Sequence, residues 1–276
     1  MNKLLVLIVS VVSALSSLPA NAEDKALAKL FTDKGMAGVV VLSDLSGSQT
    51  FISNDSRAKE AFLPASSFKV PHTLIALDAG VITEKEVIKW DGKESSFAGW
   101  NQDQTLESAF KVSCVWYYQE LARRIGPAGY EKYFKGLDYG NGLFSPNVTT
   151  FWLDGDLRIS AIDQVKFLKR VYRKELPFKD SAYETLKRIM VIEKTPTYTL
   201  RGKTGWGQRV TPQVGWFVGY VEAGGKVWFF ATNIEVKKPE DLRFRLQLTM
   251  EALKPKVSSD RFRHRDEFSR AVTSDS

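Results

Sequence analysis

Strand-like and helix-like hydrophobic patterns occupy different parts of the chain. Runs rich in β-branched and aromatic residues predict strands at residues 38–43, 50–53, 197–203, 215–222 and 226–235. Apolar residues recur at the spacing of amphipathic helices in the segments 26–34, 68–79, 108–125, 130–135, 161–173, 181–192 and 242–253. Ser46-Gly47-Ser48 and Ala223-Gly224-Gly225 are turn sequences between successive strands, and each predicts a hairpin.

This distribution predicts an α+β fold formed by a single domain over residues 23–255. The strands near both ends would form one central antiparallel sheet flanked by helices, in a lobe made of residues of about 23–64 and 195–255. The middle of the chain, about 65–194, would form a second lobe that is mostly helical. A cleft between two such lobes is the expected place for a site.

The two termini have patterns of their own. Residues 1–22 combine Lys3, an apolar run over 4–15 and the small-x-small sequence Ala20-Asn21-Ala22, which predicts a cleaved signal peptide. Polar residues interrupt the run before it reaches the roughly 20 residues that a membrane span needs. We therefore expect an exported protein without a stable membrane anchor. Residues 256–276 mix both charges without an apolar face, which predicts a disordered tail.

Composition excludes several kinds of chemistry. The chain has 276 residues, of which 43% are hydrophobic and 26% charged, and a net charge of +7. That excess is modest and comes with no nucleic-acid-binding motif, so we expect no nucleic-acid partner. One cysteine excludes intrachain disulfides and thiolate zinc clusters, and two histidines exclude a histidine-rich metal site. We predict no metal, and a Ser-His-Asp triad would need one of those two histidines.

Three short motifs could supply the chemistry instead. Ser66 and Lys69 form a Ser-x-x-Lys at the start of an apolar helix, where i, i+3 spacing puts both side chains on one face. A lysine activates a serine only if burial lowers its pKa or if its amine is converted to another group. Lys203-Thr204-Gly205 offers a charge and a hydroxyl at a strand, and Ser113 offers a second hydroxyl. Each motif alone is weak, because a capping serine, a turn after a strand or a surface lysine would give the same pattern.

Together and in this order, however, Ser-x-x-Lys and Lys-Thr-Gly are the signature of penicillin-recognising serine enzymes. The sequence resembles the class D serine β-lactamases, the oxacillinase type, and the resemblance covers essentially all of residues 63–253. It is carried by Pro64-Ala65-Ser66-Ser67-Phe68-Lys69, Phe97-Ala98-Gly99-Trp100-Asn101-Gln102-Asp103, Ser113-Cys114-Val115, Tyr139-Gly140-Asn141, Phe151-Trp152-Leu153, Leu157-Arg158-Ile159-Ser160 and Lys203-Thr204-Gly205-Trp206. A β-lactamase/transpeptidase-like fold follows from the resemblance.

The resemblance also implies catalytic roles. Ser66 would be the acylated nucleophile, and Lys69 would carry carbon dioxide as a carbamate (N6-carboxylysine), which would make it the general base for acylation and deacylation. Trp152 would stabilise that carbamate through its indole N–H. Ser113 would relay a proton to the leaving nitrogen, and the backbone N–H groups of Ser66 and Trp206 would form the oxyanion hole.

A further set of positions would bind the substrate: Lys203, Thr204, Gly205, Trp206 and Arg245. Lys203, Thr204 and Arg245 would hold the substrate carboxylate, with Arg243 as the alternative to Arg245. Tyr139-Gly140-Asn141 would brace the cleft. Cys114 and His72 lie beside these motifs, and we expect both to be packing residues.

The function implied is hydrolysis of the β-lactam amide of penicillin-type antibiotics in the periplasm, which confers resistance. The expected partner is the small-molecule β-lactam, and the only cofactor is carbon dioxide or bicarbonate. Loops near residues 97–100, 153–156 and 206–213 would set the substrate range, and the sequence leaves monomer and homodimer open. The alternatives are a β-lactam sensor that stays acylated and a penicillin-binding transpeptidase that hydrolyses slowly.

Overall fold

The computed structural model describes residues 23–257. Its helices are α1 Lys25–Thr32, α2 Asp55–Lys59, α3 Lys69–Asp78, α4 Leu106–Lys111, α5 Val115–Leu137, α6 Ala161–Tyr172, α7 Asp180–Ile189 and α8 Leu242–Leu253. Its strands are β1 Gly38–Asp44, β2 Thr50–Ile52, β3 Ala61–Phe62, β4 Ile159–Ser160, β5 Val191–Lys194, β6 Tyr198–Gly207, β7 Gln213–Ala223 and β8 Lys226–Val236. The predicted signal peptide and nearly all of the predicted tail lie outside the described residues.

A six-stranded antiparallel sheet in the order β2-β1-β8-β7-β6-β5 forms the centre, and β3 and β4 pair separately. Strands from both ends of the chain meet in it, because β1 pairs with β8 along its whole length. The predicted α+β fold with a central antiparallel sheet is confirmed. The sheet has one more strand than predicted.

That strand, β5, falls where the pattern predicts a continuous helix over residues 181–192. Helix α7 ends at Ile189, and Val191–Lys194 pair with β6 instead. The helix prediction is wrong at this end. Two adjacent apolar residues, Val191 and Ile192, are compatible with a half-buried edge strand as well as with a helix end. The sheet therefore starts four residues before the expected lobe boundary.

The predicted helix over residues 108–125 is also wrong, because the chain forms two helices there. Helix α4 ends at Lys111 and α5 begins at Val115. Between them Ser113 adopts a φ of 58°, which no α-helix permits. The interruption lets two residues of the Ser113-Cys114-Val115 motif, Ser113 and Val115, line the cleft.

Both faces of the sheet are buried. Val40 and Leu42 face a smaller core covered by α1 and α8, whereas the alternate residues Val39 and Val41 face a larger core shared with the helical lobe. The pattern along β1 is thus continuous rather than alternating, as expected for a strand covered on both sides.

One edge of the sheet is left without a strand partner where the site lies. β5 pairs with β6 only at residues 199–201. From Lys203 to Gly207, β6 is paired through β7 alone among the described strands. A short turn, Ala65–Phe68, packs beside this free part of β6. A Cβ on Gly205 would lie 3.0 Å from the backbone oxygen of Pro64 and from the nitrogen of Ser67, so glycine permits the close approach.

Candidate active site

The Ser-x-x-Lys motif forms a direct hydrogen-bonded pair. Ser66 lies in the turn Ala65–Phe68 and Lys69 begins α3, so both side chains occupy one side of the same turn. The Nζ of Lys69 lies 2.9 Å from the Oγ of Ser66 and donates to it. Lys69 is fully buried and Ser66 is 9% exposed. A nucleophile and a buried amine in this arrangement can exchange a proton.

Burial changes the protonation of Lys69. Desolvation lowers the pKa of Lys69 to about 7, because the charged ammonium loses its hydration. The ring of Tyr118 lies 5.0 Å from Nζ, and within residues 23–257 no carboxylate forms an ion pair with this lysine. A large fraction of the amines is therefore neutral near pH 7, which both proton transfer and reaction with carbon dioxide require.

Trp152 contributes a buried donor to the same region. Its indole is fully buried, stacks on Phe68 at 5.9 Å and meets His72 at 5.1 Å with the rings at 70°. Its Nε1 has no hydrogen-bond acceptor among the described residues. A buried N–H without an acceptor costs about 1–3 kcal/mol. Such a donor suits an added anionic group, so the residues present fit a carbamate on Lys69.

The cleft beside Ser66 brings the remaining motifs together. Its lining includes Ser66, Ser113, Thr204, Gly205, Trp206 and Arg245. The rings of Phe97 and Trp100 contact each other with centroids 4.5 Å apart and form an apolar part of the lining. The indole of Trp206 donates to Gln213 at 3.0 Å, which fixes its side chain at the cleft.

Lys203 and Arg245 bring two buried basic side chains together at the cleft. Lys203 is buried, and its Nζ lies 3.1 Å from the backbone oxygen of Thr204 and 3.4 Å from its hydroxyl. Burial and the neighbouring charges of Lys69 and Arg245 lower the pKa of Lys203 well below its ordinary value. Burial lowers the pKa of Arg245 to about 10. Concentrated positive charge of this kind favours an anionic ligand, which would restore the charged state of the lysine.

The two arginines of α8 have different surroundings. Arg245 is 2% exposed, and it donates to the backbone oxygen of Gly205 at 3.0 Å. Arg243 stacks on Phe244 at 4.8 Å and lines a separate surface groove. Arg245 is thus the arginine that reaches the free edge of β6.

Tyr139-Gly140-Asn141 holds the loop that carries Trp152. Asn141 donates from its backbone to the oxygen of Arg158 and from its side chain to the oxygen of Asp156, at 2.9 and 2.8 Å. A Cβ on Gly140 would lie 2.0 Å from the Arg158 oxygen, so only glycine allows this contact. The triplet is built into the framework of the cleft and is absent from its lining.

Two features of the site have no signal in the sequence. Tyr118 faces Lys69 and bonds to Thr73 at 2.8 Å, but its place depends on how α5 packs on α3. Asp154 and Arg209 form a half-exposed ion pair of 2.8 Å that joins the loop after Trp152 to the loop after β6. Only the folded chain brings residues this far apart together.

This fold, with a buried lysine bonded to a serine beside a free strand edge, defines a serine enzyme of the penicillin-recognising class. A family model for the penicillin-binding protein transpeptidase domain matches residues 34–254. The chain is 43% identical to β-lactamase OXA-48 of Klebsiella pneumoniae over 89% of this chain and 95% of that protein. It is 37% identical to β-lactamase OXA-10 of Pseudomonas aeruginosa, over 86% of this chain and 91% of that protein. The chain belongs to the class D serine β-lactamases, and is a β-lactam hydrolase by that membership.

Solved structures agree with this assignment. The class D β-lactamase YbXI from Nostoc is 42% identical, has a TM-score of 0.81, and is matched over 82% of this chain and 96% of its own. FUS-1 (OXA-85) from Fusobacterium nucleatum is 35% identical and has a TM-score of 0.82, with 85% of this chain and 98% of its own chain matched. The predicted family and fold are confirmed.

Residues 23–257 contain neither a membrane-spanning helix nor a cluster of metal ligands. No helix in this part of the chain is both long and apolar enough to cross a membrane. No group of three or more metal-ligating side chains occurs in it either.

Proposed function

We propose that the chain hydrolyses the β-lactam amide of penicillin-type antibiotics through an acyl-enzyme on Ser66, with carboxylated Lys69 as the general base. The observation that carries the proposal is the 2.9 Å contact between Ser66 and a fully buried lysine. Burial keeps part of that lysine neutral, and no carboxylate among residues 23–257 forms an ion pair with it.

Substrate would bind with its carboxylate towards Lys203, Thr204 and Arg245. These side chains supply two cations and a hydroxyl, all on or against the free part of β6. The β-lactam carbonyl would then lie between Ser66 and Trp206, whose backbone N–H groups would stabilise the developing oxyanion. Gly205 lets this strand approach the nucleophile closely.

Acylation would proceed by attack of Ser66 Oγ on the lactam carbonyl carbon, followed by breakage of the ring C–N bond. The serine proton would pass to the Lys69 side chain, and Ser113 would deliver a proton to the leaving nitrogen. The φ of 58° at Ser113 supports this role, because it turns the hydroxyl out of the helix ends and into the lining of the cleft.

Deacylation needs a base that accepts a proton from water. Bound carbon dioxide, held as a carbamate on Lys69, would supply a carboxylate-like base for both steps. Trp152 would hold it through its indole N–H, which has no acceptor within residues 23–257. Buried Phe68 and Tyr118 keep the surroundings of the Lys69 amine apolar, so that the amine stays partly neutral and can react with carbon dioxide.

We further propose that the chain is exported to the periplasm through the signal peptide of residues 1–22, where hydrolysis would protect the cell wall machinery and confer resistance. The signal-like pattern of the first 22 residues supports this location. Periplasmic fractionation with N-terminal sequencing of the mature protein tests it, and a mature chain that begins at Met1 would contradict it.

Turnover of a chromogenic cephalosporin tests the mechanism. We expect many turnovers per molecule in buffer with bicarbonate, and reversible loss of activity in buffer depleted of carbon dioxide. Lys69→Ala is expected to accumulate acyl-enzyme, detectable by mass, whereas the exposed Lys166→Ala serves as a matched control with unchanged turnover. A burst of one equivalent without turnover would favour the sensor or transpeptidase, and rapid turnover by Lys69→Ala would refute the role of Lys69.

A further inference from the structure

His72 lies at the centre of the aromatic cluster behind Lys69, although the proposed mechanism assigns it no role. It is fully buried on α3, one turn after Lys69. Its imidazole contacts four rings, with centroid distances of 5.1 Å to Tyr118 and Trp152, 5.6 Å to Phe68 and 5.8 Å to Tyr130. Two of these rings belong to α5 and one to the loop that carries Trp152, so the imidazole joins three parts of the helical lobe.

One hydrogen bond fixes the orientation of this imidazole. The Nε2 of His72 lies 2.7 Å from the hydroxyl of Tyr130. Burial raises the pKa of Tyr130 well above its ordinary value and lowers that of His72 well below it, so both groups are neutral at pH 7. A hydroxyl that donates to Nε2 leaves one unpartnered polar atom, Nδ1, whereas the opposite direction would leave the hydroxyl proton unpartnered as well.

Trp152 has no comparable anchor of its own. Its Nε1 makes no hydrogen bond among the described residues, so packing contacts rather than a hydrogen bond hold the indole. Its ring contacts include a stack on Phe68, an edge contact with Phe151 at 5.1 Å and the edge contact with His72. Of these three neighbours only His72 is itself tied by a hydrogen bond to another helix.

We propose that His72, anchored by Tyr130, is a positioning residue that holds the Trp152 indole N–H in place for the carbamate on Lys69. This role rests on the proposed function, since it concerns the group that the indole would stabilise. Removal of the Tyr130 hydroxyl frees the imidazole to rotate between its neighbours. The indole then loses its fixed edge contact, and the carbamate loses part of its stabilisation.

The sharpest test is Tyr130→Phe, because it keeps the ring and removes only the hydrogen bond. The readout is the ¹³C NMR signal of carboxylated lysine in protein titrated with ¹³C-bicarbonate, with kcat and KM for a chromogenic β-lactam alongside. We expect the bicarbonate concentration for half-labelling to rise by a factor between about two and about ten, because the lost hydrogen bond can pass on no more than its own free energy of about 1 kcal/mol. We expect kcat at low bicarbonate to fall while KM stays within about twofold, because the cations that hold the substrate carboxylate are untouched.

Tyr133→Phe is the matched control. Tyr133 lies three residues further along α5 and donates to Asp78 at 2.8 Å, away from His72. Half-labelling should not change in this variant. An equal rise in Tyr133→Phe would overturn the proposal, because it would then reflect general loosening of the helix.

Two substitutions of His72 provide a rescue test. The amide of His72→Gln can reach the place of Nε2 and keep a partner for Tyr130, whereas the shorter side chain of His72→Asn cannot. We expect the bicarbonate concentration for half-labelling to stay closer to the wild-type value in His72→Gln than in His72→Asn. Thermal melts check that both variants fold. Unchanged half-labelling in Tyr130→Phe would refute the role of His72, whereas wild-type protein that shows no ¹³C-labelled lysine would refute the proposed carbamate itself.

Discussion

Replacement of Lys69 by methionine is expected to stabilise the fold while it abolishes turnover. Lys69 is fully buried, and its ammonium loses the hydration that it has in the unfolded chain. Its pKa falls from 10.5 to about 7 as a result. Methionine has a similar length and an apolar end, so it fills the same space with little strain.

The size of the effect follows from linkage. Each pKa unit is worth about 1.4 kcal/mol, so below pH 7 burial of the charged lysine destabilises the folded state by about 5 kcal/mol. Loss of the hydrogen bond to Ser66 offsets about 1 kcal/mol, and imperfect packing offsets a similar amount. We therefore expect Lys69→Met to raise the free energy of unfolding by on the order of 3 kcal/mol near pH 6.

The sign of the pH dependence makes the test specific. Between pH 7 and 10.5 the folded chain releases the Lys69 proton while the unfolded chain keeps it, so the wild type gains stability as pH rises. The advantage of Lys69→Met should shrink by about 1.4 kcal/mol per pH unit above pH 7. Urea unfolding followed by circular dichroism at pH 6, 7.5 and 9, in buffer free of carbon dioxide, measures it. A variant less stable than wild type at pH 6, or an advantage that is flat with pH, would refute the reasoning.

Three further substitutions test other parts of the site. Gly205→Ala places a Cβ about 3.0 Å from the turn that carries the nucleophile, so we expect a loss of about 1–3 kcal/mol in stability and at least about tenfold in kcat/KM. Arg245→Ala should raise KM for carboxylate-bearing substrates about tenfold or more, whereas the exposed Arg243→Ala should leave KM unchanged; steady-state kinetics of both decide between the two arginines. Asp154→Asn removes the half-exposed ion pair with Arg209, and urea unfolding at low and high salt should show a loss below about 1 kcal/mol that salt diminishes.

Local patterns predicted the sheet and the motifs well, because each depends on neighbouring residues. β1, β7 and β8 are long and rich in β-branched and aromatic residues. The turn that joins β7 to β8 is also explicit in the sequence. The predicted site residues also lie close together, since Ser66 and Thr204 line one cleft.

Local patterns did not predict features that depend on how the helices pack. Ser113 sits in a helix break that the apolar periodicity does not show, because residues on both sides continue the same helical spacing. Tyr118 reaches Lys69 only after α5 packs on α3. The lowered pKa of Lys69, in contrast, is what the Ser-x-x-Lys chemistry requires and is expected from the motif.

The free part of β6 has a consequence for how the protein handles an open sheet edge. Unpaired edge strands invite association with other strands, and proteins usually cover or shorten them. Here the stretch from Lys203 to Gly207 is shielded on one side by the turn Ala65–Phe68, and the buried basic side chains of Lys203 and Arg245 lie beside it. The edge of β6 from Lys203 to Gly207 therefore lacks a pairing partner among the described strands. An extended, anionic amide ligand of the right length would occupy that position while it is bound. Extension of β5 at its N-terminal end, in place of the last turns of α7, would close the same gap permanently, so the late start of that strand keeps the edge of β6 open to a ligand.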